Sequence, residues 1–492
     1  MGSQRKTNGL SHTAVPGQLC DLTASQARLL IGQGVISPVE ILESCIARVE
    51  ASNPSINAVV TKAYERARLE AVRAAQDVAD GRPLGILHGL PILIKDLNET
   101  ENIRTTYCSP LYEDHIPNAD DTVVARLRQH GAIVFGKTNS PEFGIGSNTT
   151  NRVFGPTRNP FATDLTVGGS SGGAAAALST HMAPIVNGSD SGASIRNPAA
   201  FCGIVGLRPT PGLVSSPERK VGMSTNGVEG PMARTVADVA LLLAAMAKHD
   251  PRDMMSVPVE PKQFLTLKSV DASSLRVGFS EDLGFAPVDK IVRETFRRKL
   301  EIISPSLAVC EECDVQMTDA EEAYWGVRGL YLLAGHHARY KQHGQALDAN
   351  LVWNIEDALH STPLQYAEAF SAQTRIYRDF QSVFDKYDVL ITPAVNVLPF
   401  PHAQSYPTTL EGRPARHYAE WYSITYAVSL VGHPAISLSA GLDPHGTPFG
   451  LQVIGTRFND RRLLEVAQAL ELVLSSHAET RRPEPDVAAL SS

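Results

Sequence analysis

Cysteine is scarce in this chain, with six among 492 residues. That is too few for the disulfide framework of a small secreted fold. Cys310-Glu311-Glu312-Cys313 is a lone Cys-x-x-Cys with no second pair at metal spacing. It reads as part of a helix end or loop, not as a zinc or redox centre. Basic excess is also lacking: the net charge is −8, which points away from nucleic acid as a partner and serves solubility. Aromatic residues make up only 6%. No apolar run approaches the ~20 residues that a membrane-spanning helix needs. The opening Met1-Gly2-Ser3-Gln4-Arg5-Lys6 has no apolar core of a signal peptide and too little after Gly2 for a myristoylation signal. These absences fit a reducing, cytoplasmic setting.

What is present is enough apolar residue, 43%, to bury a large core. Residues 1–20 read as a flexible arm and 479–492 as a loose tail. Between them, Ser37-Pro38-Val39-Glu40 is a helix start, with Ser37 as cap, Pro38 at the first helical position and Glu40 closing a capping box. Asn53-Pro54 should end that helix. A strand is expected near 56–60 and a surface helix over 62–78. From Leu84 strands and helices alternate: strand 90–94, helix 122–129, strand 132–135, helix 172–180 and strand 183–186. Later strands are expected at 389–393, 434–438 and 449–455, with a helix over 462–474. Such alternation predicts an α/β architecture around a buried sheet. Residues 250–387 are richer in charge and helical patterning, and read as helices and variable loops that cover the sheet and shape a substrate pocket.

Three segments bear chemistry. Gly89-Leu90-Pro91-Ile92-Leu93-Ile94-Lys95-Asp96 places a lysine at a strand end. Gly168-Gly169-Ser170-Ser171-Gly172-Gly173 and Asp190-Ser191-Gly192-Ala193-Ser194-Ile195-Arg196 place serines on glycine-rich turns. A serine that attacks a carbonyl needs a base, and a lysine held neutral can be one. It also needs backbone N–H donors for the oxyanion, which glycine turns expose. Taken alone, each segment has a plainer reading: a linker, a phosphate cradle without the Gly-Lys-Ser/Thr ending of a P-loop, or a solvated lysine.

Together, in this order and spacing, they resemble the amidase signature family. The likeness extends through Phe135-Gly136-Lys137-Thr138-Asn139, Phe154-Gly155-Pro156-Thr157-Arg158-Asn159-Pro160 and Cys202-Gly203-Ile204-Val205-Gly206-Leu207-Arg208-Pro209-Thr210. It continues more weakly through Gly230-Pro231-Met232-Ala233-Arg234-Thr235-Val236 and Gly450–Gly455, leaving 250–387 largely unmatched. The resemblance implies a single large domain over 21–478, with a catalytic core at about 85–215 and a central mixed β-sheet covered on both faces by α-helices. It implies a triad of Lys95, Ser170 and Ser194, with Ser194 the nucleophile, and a cis Gly169–Ser170 peptide. The turn Ser191, Gly192, Ala193, Ser194 would form the oxyanion hole. Ser171, Asp190 and Arg196 would support it. Tyr107, Cys108, Gly144, Tyr324, Trp325 and Trp421 are candidates to line the pocket, and Tyr426 is a further aromatic of that kind.

Two departures stand out. Ala193 occupies a position where the family usually has glycine, and is expected to keep an allowed φ. Cys108 occupies a position where many relatives have glycine. The activity implied is hydrolysis of a small amide, anilide, carbamate or ester through an acyl-enzyme, without metal or organic cofactor. The alternative is the glutaminase component of a tRNA-dependent amidotransferase, although Met223–Gly230 departs from its pattern. A non-catalytic scaffold is disfavoured because all three triad residues are present. A homodimer would fit the family, but no residue pattern defines its surface.

Overall fold

The computed structural model describes residues 18–491. Its centre is a mixed sheet of eleven strands. In spatial order these are Val59–Lys62, Ile133–Thr138, Pro91–Lys95, Ile185–Asp190, Val228–Ala233, Val205–Arg208, Ala435–Leu442, Pro448–Ile454, Val389–Pro393, Arg276–Phe279 and Val309–Glu312. Pro91–Lys95 runs parallel to both of its neighbours. The strands from Ile185–Asp190 through Val389–Pro393 alternate in direction. Helices cover both faces. Gly172–Ser179 and Arg196–Cys202 pack on each other and on the sheet, while Val236–Met246 pairs with Asp460–Ser475.

The helix at Pro38–Ile56 starts with the reciprocal Ser37/Glu40 capping box. It does not stop at Asn53-Pro54 as expected, and Pro54 lies in its last turn. There the Asn53 side chain accepts the N–H groups of Ala58 and Val59, and Asn57 turns left-handed at φ 58° to end the helix. Residues 250–387 hold more than helices and loops. Arg276–Phe279 and Val309–Glu312 extend the sheet edge. Cys310 therefore lies in an edge strand, with Cys313 just after it, and both thiols are free.

Two core strands, Val205–Arg208 and Val228–Ala233, have no clean alternating pattern. Gly230 interrupts one because a Cβ there would stand 2.3 Å from the Leu207 carbonyl oxygen. Most of the proposed N-terminal arm lies outside the described residues, but Leu19–Asp21 forms a short turn with Cys20 buried. The segment after Glu479, expected to be loose, is fixed to the body: Thr480 is fully buried and Glu484 pairs with His181 at 2.7 Å. No helix among the described residues is long and apolar enough to cross a membrane.

Candidate active site

Pro91–Lys95 and Ile185–Asp190 are parallel neighbours, so Lys95 and Ser189 emerge together at their carboxyl ends. Lys95 is fully buried. Its Nζ lies 2.7 Å from Ser170 Oγ, 2.9 Å from Ser171 Oγ and 3.1 Å from Ser189 Oγ. The Gly169–Ser170 peptide is cis. Burial lowers the pKa of the Lys95 ammonium to about 8, against the opposing pull of Glu229 and Asp190. A neutral amine has two N–H donors and one lone pair, so one of the three hydroxyls must donate to it. Ser171 Oγ is within bonding distance of the Ser189 carbonyl, at 3.3 Å, which gives its proton a destination of its own. Ser170 and Ser189 remain to donate to Nζ.

Ser194 sits on the turn between the Ile185–Asp190 strand and the Arg196–Cys202 helix. Its carbonyl accepts from the Ser171 N–H at 2.9 Å, which ties the two serine turns together. Asp190 fixes the turn from below: its carboxylate accepts from the Ile195 N–H at 3.0 Å and from Arg196 Nη2 at 2.9 Å. Arg208 reaches the same residue and donates to its carbonyl. Burial alone would raise the Asp190 carboxyl, but the charges of Arg196 and Arg208 prevail and hold it at about 2.

The Gly192 carbonyl accepts from Arg196 Nη2 at 2.7 Å and from Ser429 Oγ at 3.1 Å. The Ala193 carbonyl accepts from the Asn197 N–H at 2.9 Å. In a trans peptide the N–H points opposite to the C=O. The Ala193 and Ser194 N–H groups are thus turned away from these anchors, and neither has an acceptor among the described residues. Ala193 is not among the residues with positive φ, so the alanine is accommodated without a left-handed backbone. Gly192 is more constrained, because a Cβ there would lie 2.5 Å from Tyr324 Oη.

Asp190 is the carboxylate partner of two buried guanidinium groups, and its loss would leave both uncompensated. Asp190→Asn is therefore expected to destabilise the fold by about 3–5 kcal/mol in chemical denaturation. The depressed carboxyl contributes stability that is full above the ordinary pKa of about 3.9 and is lost as pH falls through about 2. The variant should lose that acid-range dependence.

Above Ser170 and Ser194 lies a cavity of about 250 Å³ lined by both serines, by Ser189 and by the whole Ser191–Ser194 turn. Lys95 stands behind this surface. Of the candidate pocket residues, Gly144 and Tyr324 line the cavity, with Tyr324 stacked on Tyr426 at 4.1 Å between ring centroids. The other four lie elsewhere. Tyr107 stacks behind Phe143 and bonds Glu99 at 2.6 Å. Cys108 is fully buried, with Sγ 3.7 Å from Asp96, and burial pushes its thiol well up. Trp325 packs against Trp353 and His417 in the outer helical layer. Trp421 is wedged between Phe201 and Phe400.

Several lining residues had no sequence signal of their own. Glu229 lies across the strand pair from Ser189, and burial raises its carboxyl to about 7 against Asn98 and Lys95. Asn187 bonds the Lys95 N–H at 2.9 Å and approaches Glu229 at 3.4 Å. Arg219, Asn226, Arg328, Tyr331 and His336 also line the cavity. Among the described residues, no cluster of three or more His, Cys, Asp or Glu side chains could hold a metal ion.

The Amidase family model matches residues 40–464. The chain is 33% identical to an acylamidase of Rhodococcus erythropolis over 92% of this chain and 95% of that one. It is 34% identical to a glutamyl-tRNA(Gln) amidotransferase subunit of Carboxydothermus hydrogenoformans, over 92% and 97% of the two chains. A bacterial aryl acylamidase structure superposes with a TM-score of 0.85 at 28% identity, covering 92% of this chain and 96% of that one. With the family model spanning most of its length, this chain belongs to the amidase signature family, hydrolases that act on carbon–nitrogen bonds.

Proposed function

We propose that the protein is a free-standing serine amidohydrolase that cleaves small amides through an acyl-enzyme. The observation that supports this most directly is Lys95 Nζ at 2.7 Å from Ser170 Oγ, behind a cavity that Ser170 and Ser194 both line. Neutral Lys95 takes the Ser170 proton as Ser170 takes that of Ser194, and Ser194 Oγ attacks the carbonyl carbon. The Ala193 and Ser194 N–H groups receive the oxyanion, a stabilisation of about 3–4 kcal/mol per donor in comparable sites. The relay then returns the proton to the leaving amine. Water then gives a proton to the same relay as its oxygen attacks the acyl carbon, and the relay returns that proton to Ser194 Oγ as the acid leaves. Ser171, Asp190 and Arg196 hold the two turns in register. Anilides, carbamates and activated esters present the same carbonyl chemistry.

The cavity volume supports a compact substrate, since ligand sites for drug-sized molecules run from about 300 to 1,000 Å³. The second reading, a glutaminase component of a larger complex, is favoured by the relatives named as amidotransferase subunits. The likeness to acylamidases, including the TM-score of 0.85, supports the free-standing enzyme. A hydrolysis panel separates them: an aliphatic amide, an acyl anilide, an aryl carbamate, a p-nitrophenyl ester and glutamine, with the purified chain alone. Turnover of amides or anilides is expected. Activity confined to glutamine would transfer the assignment to the amidotransferase.

A further inference from the structure

Lys95 has hydroxyl partners but no counter-ion in contact. Ser170, Ser171 and Ser189 surround its Nζ, and it makes no ion pair among the described residues. In the proposed reaction this amine takes up a proton and becomes a buried cation, which is costly without a compensating charge. Two acids attract it through space, Glu229 and Asp190. Asp190 already pairs with the guanidinium groups of Arg196 and Arg208. Glu229 makes no ion pair among the described residues.

The sheet places Glu229 beside the amine. The strand Ile185–Asp190 lies between Pro91–Lys95 and Val228–Ala233, and Glu229 stands directly opposite Ser189 in the antiparallel register. Side chains so opposed share a face of the sheet, with Cβ atoms about 4.5–5.5 Å apart. Ser189 Oγ is itself 3.1 Å from Lys95 Nζ. Asn187, two residues earlier on the same face, ties the three strands together. Its Oδ1 accepts the Lys95 N–H at 2.9 Å, and its Nδ2 reaches Asn98 Oδ1 at 2.8 Å and Glu229 Oε2 at 3.4 Å. Glu229 lines the cavity together with Ser170, Ser189 and Ser194.

The other titratable groups that face this pair do not replace it. Asp121 repels the Glu229 charge from the opposite side, accepts from the Glu99 N–H at 2.9 Å and is itself raised to about 6 by burial. Glu218 acts on Asp121 and accepts from the Thr122 N–H at 2.9 Å. Burial raises the Tyr331 phenol and the Cys108 thiol, so both stay neutral. Arg219 lines the cavity but stands 3.5 Å from Asp253. Burial raises Glu229 to about 7, still below Lys95 at about 8, so its carboxylate is in place when the amine becomes neutral.

We infer that Glu229 is a positioning residue of the relay: its carboxylate is the counter-ion for the ammonium that Lys95 becomes on taking the Ser194 proton through Ser170. The inference rests on the amide-hydrolase reading and adds a member to its relay. Lys95 is then a stronger base than burial alone would leave it, and two protons must leave the pair before the relay is ready.

The test is the pH dependence of kcat and kcat/KM for a neutral amide in wild type, Glu229→Gln and Glu229→Asp. The wild-type acid limb should steepen from unit slope toward a slope of two below about pH 7, because the active form lacks both protons. Glu229→Gln removes one of those protons and the attraction, so its limb should keep unit slope and move down by on the order of one pH unit. At about pH 6 the variant should retain at least about 10-fold more of its own plateau rate than wild type does. A gain in acid is not a result that a damaged fold produces. Glu229→Asp should return the slope of two. An unshifted limb in Glu229→Gln, with or without a change in KM, would overturn the inference while leaving amide hydrolysis intact. So would a wild-type limb of unit slope down to about pH 5, a measurement that needs no variant to fold. Absence of amide hydrolysis by the wild-type chain would instead remove the reading on which the inference rests.

Discussion

Ser194→Ala should lower kcat/KM for amide hydrolysis by about 10⁴–10⁶-fold while leaving the fold unchanged. The residue is 8% exposed and lines the cavity, and its hydroxyl has no hydrogen bond that the turn depends on. The turn is instead held by backbone and by buried charge: the Ser194 carbonyl on the Ser171 N–H, the Ile195 N–H on Asp190, and Arg196 on the Gly192 carbonyl. Removal of one oxygen therefore subtracts the proposed nucleophile and little else. Substrate should still bind with KM or Kd near the wild-type value, because the cavity walls are untouched. Thermal denaturation and substrate binding, measured beside the rate, separate this result from a folding defect. A variant that keeps more than about a tenth of wild-type turnover would contradict the assignment of the nucleophile.

Lys95→Met should cost a comparable factor, and the double variant Lys95→Met/Ser194→Ala should be no worse than either alone. Residues that act as one relay are not additive: once the base is lost, the nucleophile has little further to lose. The pH profile gives an independent signature. In the proposed mechanism the amine acts only when neutral, and burial lowers it from its ordinary value to about 8. Wild-type kcat/KM should rise as pH increases through about 8, and the residual activity of Lys95→Met should lack that limb. The sign of the stability effect follows from the same shift. Between about pH 8 and the ordinary lysine value near 10.4, the unfolded chain holds a proton that the folded chain has released. Folding stability from this group should accordingly increase with pH across that window, and the increase should vanish in Lys95→Met. The nearby Glu229, raised to about 7, titrates with Lys95 as a pair, so the observed inflections belong to both groups. Lys137 is a useful control. It too is fully buried and lowered to about 8, but its Nζ is spent on Asn98, Thr100 and Thr105, away from the serines.

What the sequence disclosed follows the range of the interactions involved. The capping box at Ser37 and Glu40, the helix at Thr122–Gln129 and the strand at Val389–Pro393 are set by neighbours within a few residues, and their patterns are written locally. The three serine and lysine segments were legible for a related reason, since each is a short strand end or turn with a fixed residue order. Arg219, Asn226, Glu229 and Arg328 were not. They come from a loop, a strand and an outer helix that are distant in the chain, and become a group only when the sheet and the helical layer close over the cavity. Trp325 and Trp421 show the converse. Aromatic character marked them as pocket candidates, but the same surface area is as well satisfied against Trp353 or Phe201, where the structure places them. The strands at Val205–Arg208 and Val228–Ala233 escaped pattern recognition because glycines replace apolar side chains where neighbouring atoms approach closely. The edge strands at Arg276–Phe279 and Val309–Glu312 are only four residues each, too short to set a period against the surrounding charge.

The measurement that bears most directly on the central claim is covalent capture of the nucleophile. A serine-directed alkyl phosphonofluoridate is attacked at phosphorus by an activated serine oxygen, forming an O–P bond and expelling fluoride, and peptide mapping then locates the adduct. The account predicts one phosphonyl group per chain, on Ser194, with labelling that accelerates as pH rises through about 8 and is absent in Ser194→Ala. A label on Ser170 or another residue, or undiminished labelling in Ser194→Ala, would contradict it.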